Sequence, residues 1–239
     1  MKKTVQFFII SLLVLGSFSG CTSMQTGTNS NAVLGAVKGV LTNGTSKAFN
    51  IFSDSNAFMT NALIEAALPK EIKEINAKLE SLGLSHIVEK EKQYISQIAN
   101  ASITTARPIV KQAIEQMTLS DAVGIVSGGN GAATNYLRTT TETKLQTAIS
   151  PLVHTQTEKL GVNTLLNNAL GGQNGTLNAI LGTVLGTGSN QNTTELLNDA
   201  ITQQLIEGLF NIVEDVENDT RANPSNLLNS VLGTTTKNQ

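Results

Sequence analysis

Between Glu195 and Val216 the apolar residues Leu197, Ala200, Ile201, Leu205, Leu209, Ile212, Val213 and Val216 recur at three- and four-residue spacing. That period puts them on one broad face of a helix, and a helix with such a face has to bury it against others. The same rhythm returns along the chain. Val33, Val37, Val40 and Leu41 make a weaker stripe that continues through Ala48, Ile51 and Phe52, diluted by Gly35, Gly39 and Gly44. Leu68-Pro69 opens a helix carrying Ile72, Ile75, Leu79 and Leu82, with Gly83 as its stop. Ser85 is placed to cap the next helix, in which Ile87, Val88, Ile95 and Ile98 share a face. Pro108 predicts a separate start, lined by Ile109, Val110, Ala113, Ile114 and Met117. Thr118 and Asp121 have capping-box spacing before a short helix that ends at Gly128-Gly129.

A long helix is predicted from Ala132 to Ser150, although Thr139-Thr140-Thr141 has poor helix propensity and needs tertiary packing to hold it. Ser150-Pro151 predicts a restart through Leu160 to Gly161, and Asn223-Pro224 predicts a last short helix closed by Gly233. No segment alternates in the strand pattern over a convincing length. The expectation is all-α: a single helical bundle of about eight to ten helices over residues 32–233. Residues 171–192, which carry no charge, read as a low-complexity insertion, and residues 234–239 as a disordered tail.

The first twenty-one residues have a different character. Lys2 and Lys3 precede an apolar run from Val5 to Leu15, and Ser17-Phe18-Ser19-Gly20 leads into Cys21. This three-part layout is that of a secretory signal peptide, and the cysteine after Ser-Gly makes it resemble a bacterial lipoprotein signal. Residues 1–20 are then removed, Cys21 carries the lipid, and residues 21–31 form a polar tether. The apolar run is too short to span a bilayer comfortably, which takes about 20 residues. Thr22 follows the cysteine where Asp would signal inner-membrane retention in many Gram-negative bacteria. The expected location is the periplasmic face of the outer membrane, with the membrane itself as partner through Cys21.

Charge excludes other partners. The chain has 16 Lys and Arg against 18 Asp and Glu, and losing the leader removes two of the lysines. An acidic body offers no general attraction for nucleic acid or anionic lipid. Cys21 is the only cysteine, so a lipidated chain keeps no thiol, disulfide or cysteine–metal site. Neither a metal nor another cofactor is expected.

Four stretches carry a family resemblance: Leu68-Pro69; Arg107-Pro108-Ile109 through Ala113-Ile114; the block Met117 to Arg138 with the residues just after it; and Gly208-Leu209-Phe210 on to Asn223-Pro224. They resemble an uncharacterised bacterial family, the domain of unknown function 4197. The resemblance implies an envelope-associated helical domain and supplies no reaction. Family members tend to have acids where this chain has Asn130-Gly131, Phe at Leu137, and further basic residues at Thr139-Thr140. They also lack so long a glycine-rich insertion.

Within the central block, Asp121, Thr134 and Arg138 are the candidate ligand-binding residues. Thr134 and Arg138 lie four apart on one helical face, and Arg138 offers a fork-shaped donor to a carboxylate. The structural alternatives are that Asp121 is a helix cap and that Arg138 pins two helices through an acid such as Asp121 or Glu142. The loop Ser127 to Gly131 precedes a helix, so its N–H groups could face an anion, although a helix-to-helix turn explains the glycines equally well. It lacks the Gly-Lys-Ser/Thr ending of a nucleotide loop. Glu214, Asp215, Glu217 and Asp219 read as a solvated helix face with Arg221 as a neutralising neighbour. His86 and His154 belong to no metal-binding pattern, and no nucleophile elbow supports a triad. The expected function is a non-enzymatic, lipid-anchored binding or scaffolding module. The alternative is a carrier for a small apolar or lipid ligand between helices, and an envelope hydrolase comes behind both.

Overall fold

A computed structural model describes residues 26–161 and 193–223. Those residues form eight helices and no strand: α1 (Thr26–Ser53), α2 (Ser55–Met59), α3 (Ala62–Ala66), α4 (Lys70–Ser81), α5 (Ser85–Gln116), α6 (Leu119–Ser127), α7 (Ala132–Lys159) and α8 (Thr193–Ala222). The all-α expectation is met. The expected leader with Cys21, the expected insertion at 171–192, the helix expected at 224–232 and the expected tail at 234–239 lie outside the described residues.

The four long helices close a ring in which α1 packs on α5 and α8, and α7 packs on the same two. The short helices dress its outside. α3 lies on α8, α2 and α4 on α5, and α6 on α1. Inside the ring sit the apolar stripes foreseen from periodicity, including Leu41, Ile98, Val110, Leu205 and Ile212, joined by Leu137, Leu145 and Val153 of α7, each essentially without solvent contact. The core is aliphatic apart from Phe49, Phe52, Phe58 and Phe210, all buried, with Phe52 and Phe58 edge to face at 5.4 Å. One glycine sets a close approach. A Cβ on Gly44 would meet the Val213 Cα at 3.1 Å, so the α1–α8 crossing depends on its absence. Among the described residues, no helix is long and apolar enough to cross a membrane.

Two proline-based expectations are corrected. Pro108 lies inside α5 and Pro151 inside α7, and neither starts a helix. Both prolines are exposed, so the carbonyl that each leaves without its helical donor faces the wet side. On the opposite face Ile103, Ala106 and Val110 around the first, and Ile149 and Val153 around the second, bury continuously and hold the helix through the defect.

Helix ends follow local chemistry more closely. Gly83, at φ 76°, closes α4 by a Schellman arrangement: its N–H reaches Glu80 O at 2.9 Å and that of Leu84 reaches Leu79 O at 3.0 Å. Gly161, at φ 66°, ends α7 as expected. Ser85 is not a cap. Leu84 occupies that position and contributes no side-chain hydrogen bond. The helices α2 and α3 went unforeseen, and their caps are Asp54 and Asn61, whose carboxylate and amide oxygens each accept two backbone N–H groups. At the front, α1 begins at Thr26, which reaches back into the stretch read as tether up to Asn31. Extending an already nucleated helix gains one hydrogen bond per residue, enough to offset the modest propensity of Thr, Ser and Asn there.

Candidate functional site

The family-like block folds into α6, the glycine loop and the first turns of α7, and its charged groups meet the end of α8. Gly131 takes φ 73° and serves as the N-cap of α7. A glycine cap has no side chain to satisfy the first N–H groups of a helix, and here α8 supplies the acceptor. Glu217 inserts its carboxylate at this helix end: Oε1 accepts from Ala133 N–H at 2.9 Å, and Oε2 accepts from Thr134 N–H and from the Thr134 hydroxyl, both at 2.8 Å. Asn218 Oδ1 accepts from Gly131 N–H at 3.1 Å. The anion that the glycine loop was suited to hold is the chain's own carboxylate.

Arg221 sits one turn further along α8 and completes the arrangement. Its Nε and Nη2 lie 2.9 and 2.8 Å from Glu217 Oε1, while Nη2 also donates to Ile125 O at 2.9 Å and Nη1 to Gly128 O at 3.4 Å. Those two carbonyls belong to the C-terminal end of α6. A cation at a helix C-terminus and an anion at a helix N-terminus each oppose the local end of the helix dipole. The Glu217–Arg221 pair therefore serves both ends of the α6–α7 junction at once. Glu217 is only 1% exposed, which corrects its reading as part of a solvated acidic face. The expected Arg221 partnership holds. Of the other acids there, Asp215 pairs with Lys47 at 2.9 Å, half-exposed on both sides.

Each of the three candidate binding residues has a partner inside the fold. Asp121 completes the capping box, accepting from Thr118 N–H at 2.8 Å and from its hydroxyl at 2.7 Å, and the hydroxyl bond holds its carboxyl below the usual range. Thr134 is buried on Glu217. Arg138 grips Glu207 of α8 with two parallel bonds, 2.6 and 2.8 Å, and lies 4.4 Å over the Phe210 ring. Those hydrogen bonds hold its guanidinium above the ordinary range. Arg138 thus pins two helices, with Glu207 as the main partner and Glu142 a looser one at 3.6 Å. No hydrogen bond or ion pair joins Asp121, Arg138, His86 and His154 to one another among the described residues, and both histidines are exposed. Those residues also hold no cluster of three or more His, Cys, Asp or Glu positioned for a metal.

Arg138→Ala leaves the Glu207 carboxylate without its fork, and is expected to lower stability by about 1.5–3 kcal/mol. Arg138→Lys recovers less than half of that, since an ammonium cannot make the paired bonds. Urea unfolding of the three proteins checks it, and an unchanged midpoint for Arg138→Ala would contradict the role.

A second polar site escaped the reading of the sequence. Glu91 of α5 is buried beside a cavity of about 20 Å³ lined by Phe58, Ile64, Leu68, Ile95, Asn76 and Gln204. Burial raises its carboxyl to about 7, opposed by a hydrogen bond from Asn76 and by the charge of Lys92. Gln204 Oε1 has no partner there. The signal was present: Glu91 stands four residues after Ile87 and four before Ile95, in the middle of an apolar face.

No curated protein and no solved structure matches this chain. A family model does, over residues 27–235, most of the chain. The junction of α6, α7 and α8 and the ring that carries it therefore lie within the matched region, and the chain belongs to the family described as protein of unknown function, DUF4197.

Proposed function

We propose that this chain is a lipid-anchored protein of the bacterial envelope whose helical body acts as a binding or scaffolding module. The observation that carries the non-catalytic half is the state of the reactive groups in the family-like block. Asp121, Thr134, Arg138, Glu217 and Arg221 each complete a helix end or join two helices. A general acid, base or nucleophile has to keep an atom available to substrate, whereas these five are held against backbone or opposite charge.

The anchoring half rests on Met1 to Cys21. A single myristoyl chain binds membranes only marginally, at about 0.8 kcal/mol per buried methylene, so the several chains of a lipoprotein cysteine hold the body permanently. With Thr22 next, the reading places it on the periplasmic face of the outer membrane. Fractionation of cells expressing the Cys21→Ser variant tests the anchor. The expected result is loss of the lipid-modified, processed form. A variant that stays membrane-bound at the processed size would overturn it.

The carrier alternative would need a cleft between helices, and the open groove between α1 and α5 measures about 320 Å³.

A further inference from the structure

The apolar face of α6 is wider than the bundle covers. Ala122 and Ile125 are buried against the ring, whereas Leu119, Val123 and Val126, at one-turn spacing beside them, are 39%, 53% and 57% exposed. They are three of the four large apolar side chains exposed among the described residues, and the fourth, Leu82, stands by itself at the C-terminal cap of α4. A single exposed apolar residue is ordinary, but an uncovered helical stripe calls for an occupant. Little charge surrounds this one in the sequence. Between Glu115 and Arg138 only Asp121 is charged, and the capping box turns its carboxylate onto Thr118.

The stripe lies at the end of the bundle from which the chain leads back to Cys21. Lys38, in the first half of α1, donates to Glu115 O at 2.8 Å just before α6 begins, and α6 packs on α1. Phe49, near the far end of α1, lies instead under Arg107. The two helices therefore run antiparallel, and the start of α1 is at the α6 end. Four residues separate Cys21 from Thr26, the first of α1. Five backbone steps span at most about 18 Å.

We infer that the Leu119, Val123 and Val126 face of α6 beds on the lipid bilayer to which Cys21 tethers the chain. This rests on the anchored reading and adds a second, non-covalent contact to it. A tether holds the face at high local concentration against lipid, so a contact too weak to recruit a free protein suffices to orient a tethered one. α6 has no basic residue, so the contact is with the acyl boundary and does not need anionic headgroups. A second copy of the chain is the poorer occupant, because three side chains fall far short of the ~800 Å² per partner of a stable interface.

The chain has no Trp and one Cys, so one introduced Trp reports on the face while the thiol takes the tether. The test couples Cys21 of the full chain to a maleimide phospholipid in phosphatidylcholine vesicles and quenches with phosphatidylcholine brominated in its acyl chains. Val123→Trp carries the probe on the face. His86→Trp is the control, exposed at the opposite end of α5, a 32-residue helix about 48 Å long. Quenching should be at least about threefold stronger at 123 than at 86. Val126→Trp repeats the measurement should Val123→Trp fail to fold. Equal quenching at the two positions, or emission at 123 that stays solvent-like, overturns the face. A blue shift at 123 that bromine does not quench and that grows with protein density puts a second copy there, and overturns it too. The coupling supplies the tether whatever happens to Cys21 in cells, which separates the two readings. An unquenched Val123→Trp leaves the anchor standing, whereas a failed anchor with a quenched Val123→Trp removes the outer-membrane placement and keeps the lipid contact.

Discussion

Glu217→Ala is expected to destabilise the domain by about 3–5 kcal/mol, the range for breaking a buried ion pair from one side. The substitution leaves Arg221 as an uncompensated charge and removes the acceptor for two α7 N–H groups and the Thr134 hydroxyl. The two N–H groups and the hydroxyl make no other hydrogen bond among the described residues, so the loss falls on the desolvation of each. Glu217→Gln keeps one amide oxygen and lies between wild type and Ala. Arg221→Ala removes the cation together with the bonds to Ile125 O and Gly128 O. Because the two residues act as one unit, the double variant should cost clearly less than the sum of the singles. Urea unfolding of the four proteins measures this coupling. Additive losses, or a Glu217→Ala cost below about 1 kcal/mol, would mean that the pair does not latch the junction.

Glu91 has the opposite sign. Its carboxyl titrates at about 7 in the fold against an ordinary value of 4.5, so the folded chain holds this proton more tightly than the unfolded one. Stability from Glu91 is therefore full below about pH 4.5 and is lost as pH rises through about 7. A shift of that size corresponds to about 3 kcal/mol at about 1.4 kcal/mol per unit. Glu91→Gln keeps the shape, removes the charge and should match wild type at pH 4. By pH 8 it should be more stable than wild type by about 3 kcal/mol. The difference between the two unfolding curves is the quantity to read, because Asp121 pulls the other way. Held low by Thr118, Asp121 contributes stability that disappears as pH falls below its ordinary 3.8. Parallel curves for wild type and Glu91→Gln from pH 4 to 8 would contradict the burial of a charge at this position.

The two residues with the largest expected effects are the two that composition and spacing misplace. Periodicity identifies the apolar faces of α1, α5 and α8, whereas α7 shows in the sequence only as a helix with poor propensity at Thr139 to Thr141. Periodicity also assigns charged residues to solvent by default. Glu217 follows Val213 by four residues and Glu91 sits between Ile87 and Ile95, so both share faces with core residues. What overrides the default is long-range. The helix end that receives Glu217 lies more than eighty residues away in the chain. Local signals fared better: the capping box at Thr118 and the stops at Gly83 and Gly161 depend only on neighbours and were legible. Proline was misleading for the complementary reason. Pro108 and Pro151 carry a local preference for a helix start, and the buried faces beside them outweigh it. The capping role of Asp121 could be read from Thr118 alone, whereas the fork from Arg138 to Glu207 needed the packing of α7 on α8.

Closure of the α7 N-terminus by Glu217 is the contact on which the α6–α7–α8 junction depends. Amide hydrogen exchange at Ala133 and Thr134, in wild type and in Glu217→Gln under native conditions, measures that directly. First-turn amides of a helix ordinarily exchange fast because they lack intrahelical partners. In wild type both are expected to exchange only through opening events close to global unfolding. In Glu217→Gln their protection should fall by at least about tenfold relative to core amides of the same helix such as Leu145. Fast exchange of both amides in wild type, or undiminished protection in Glu217→Gln, would contradict it.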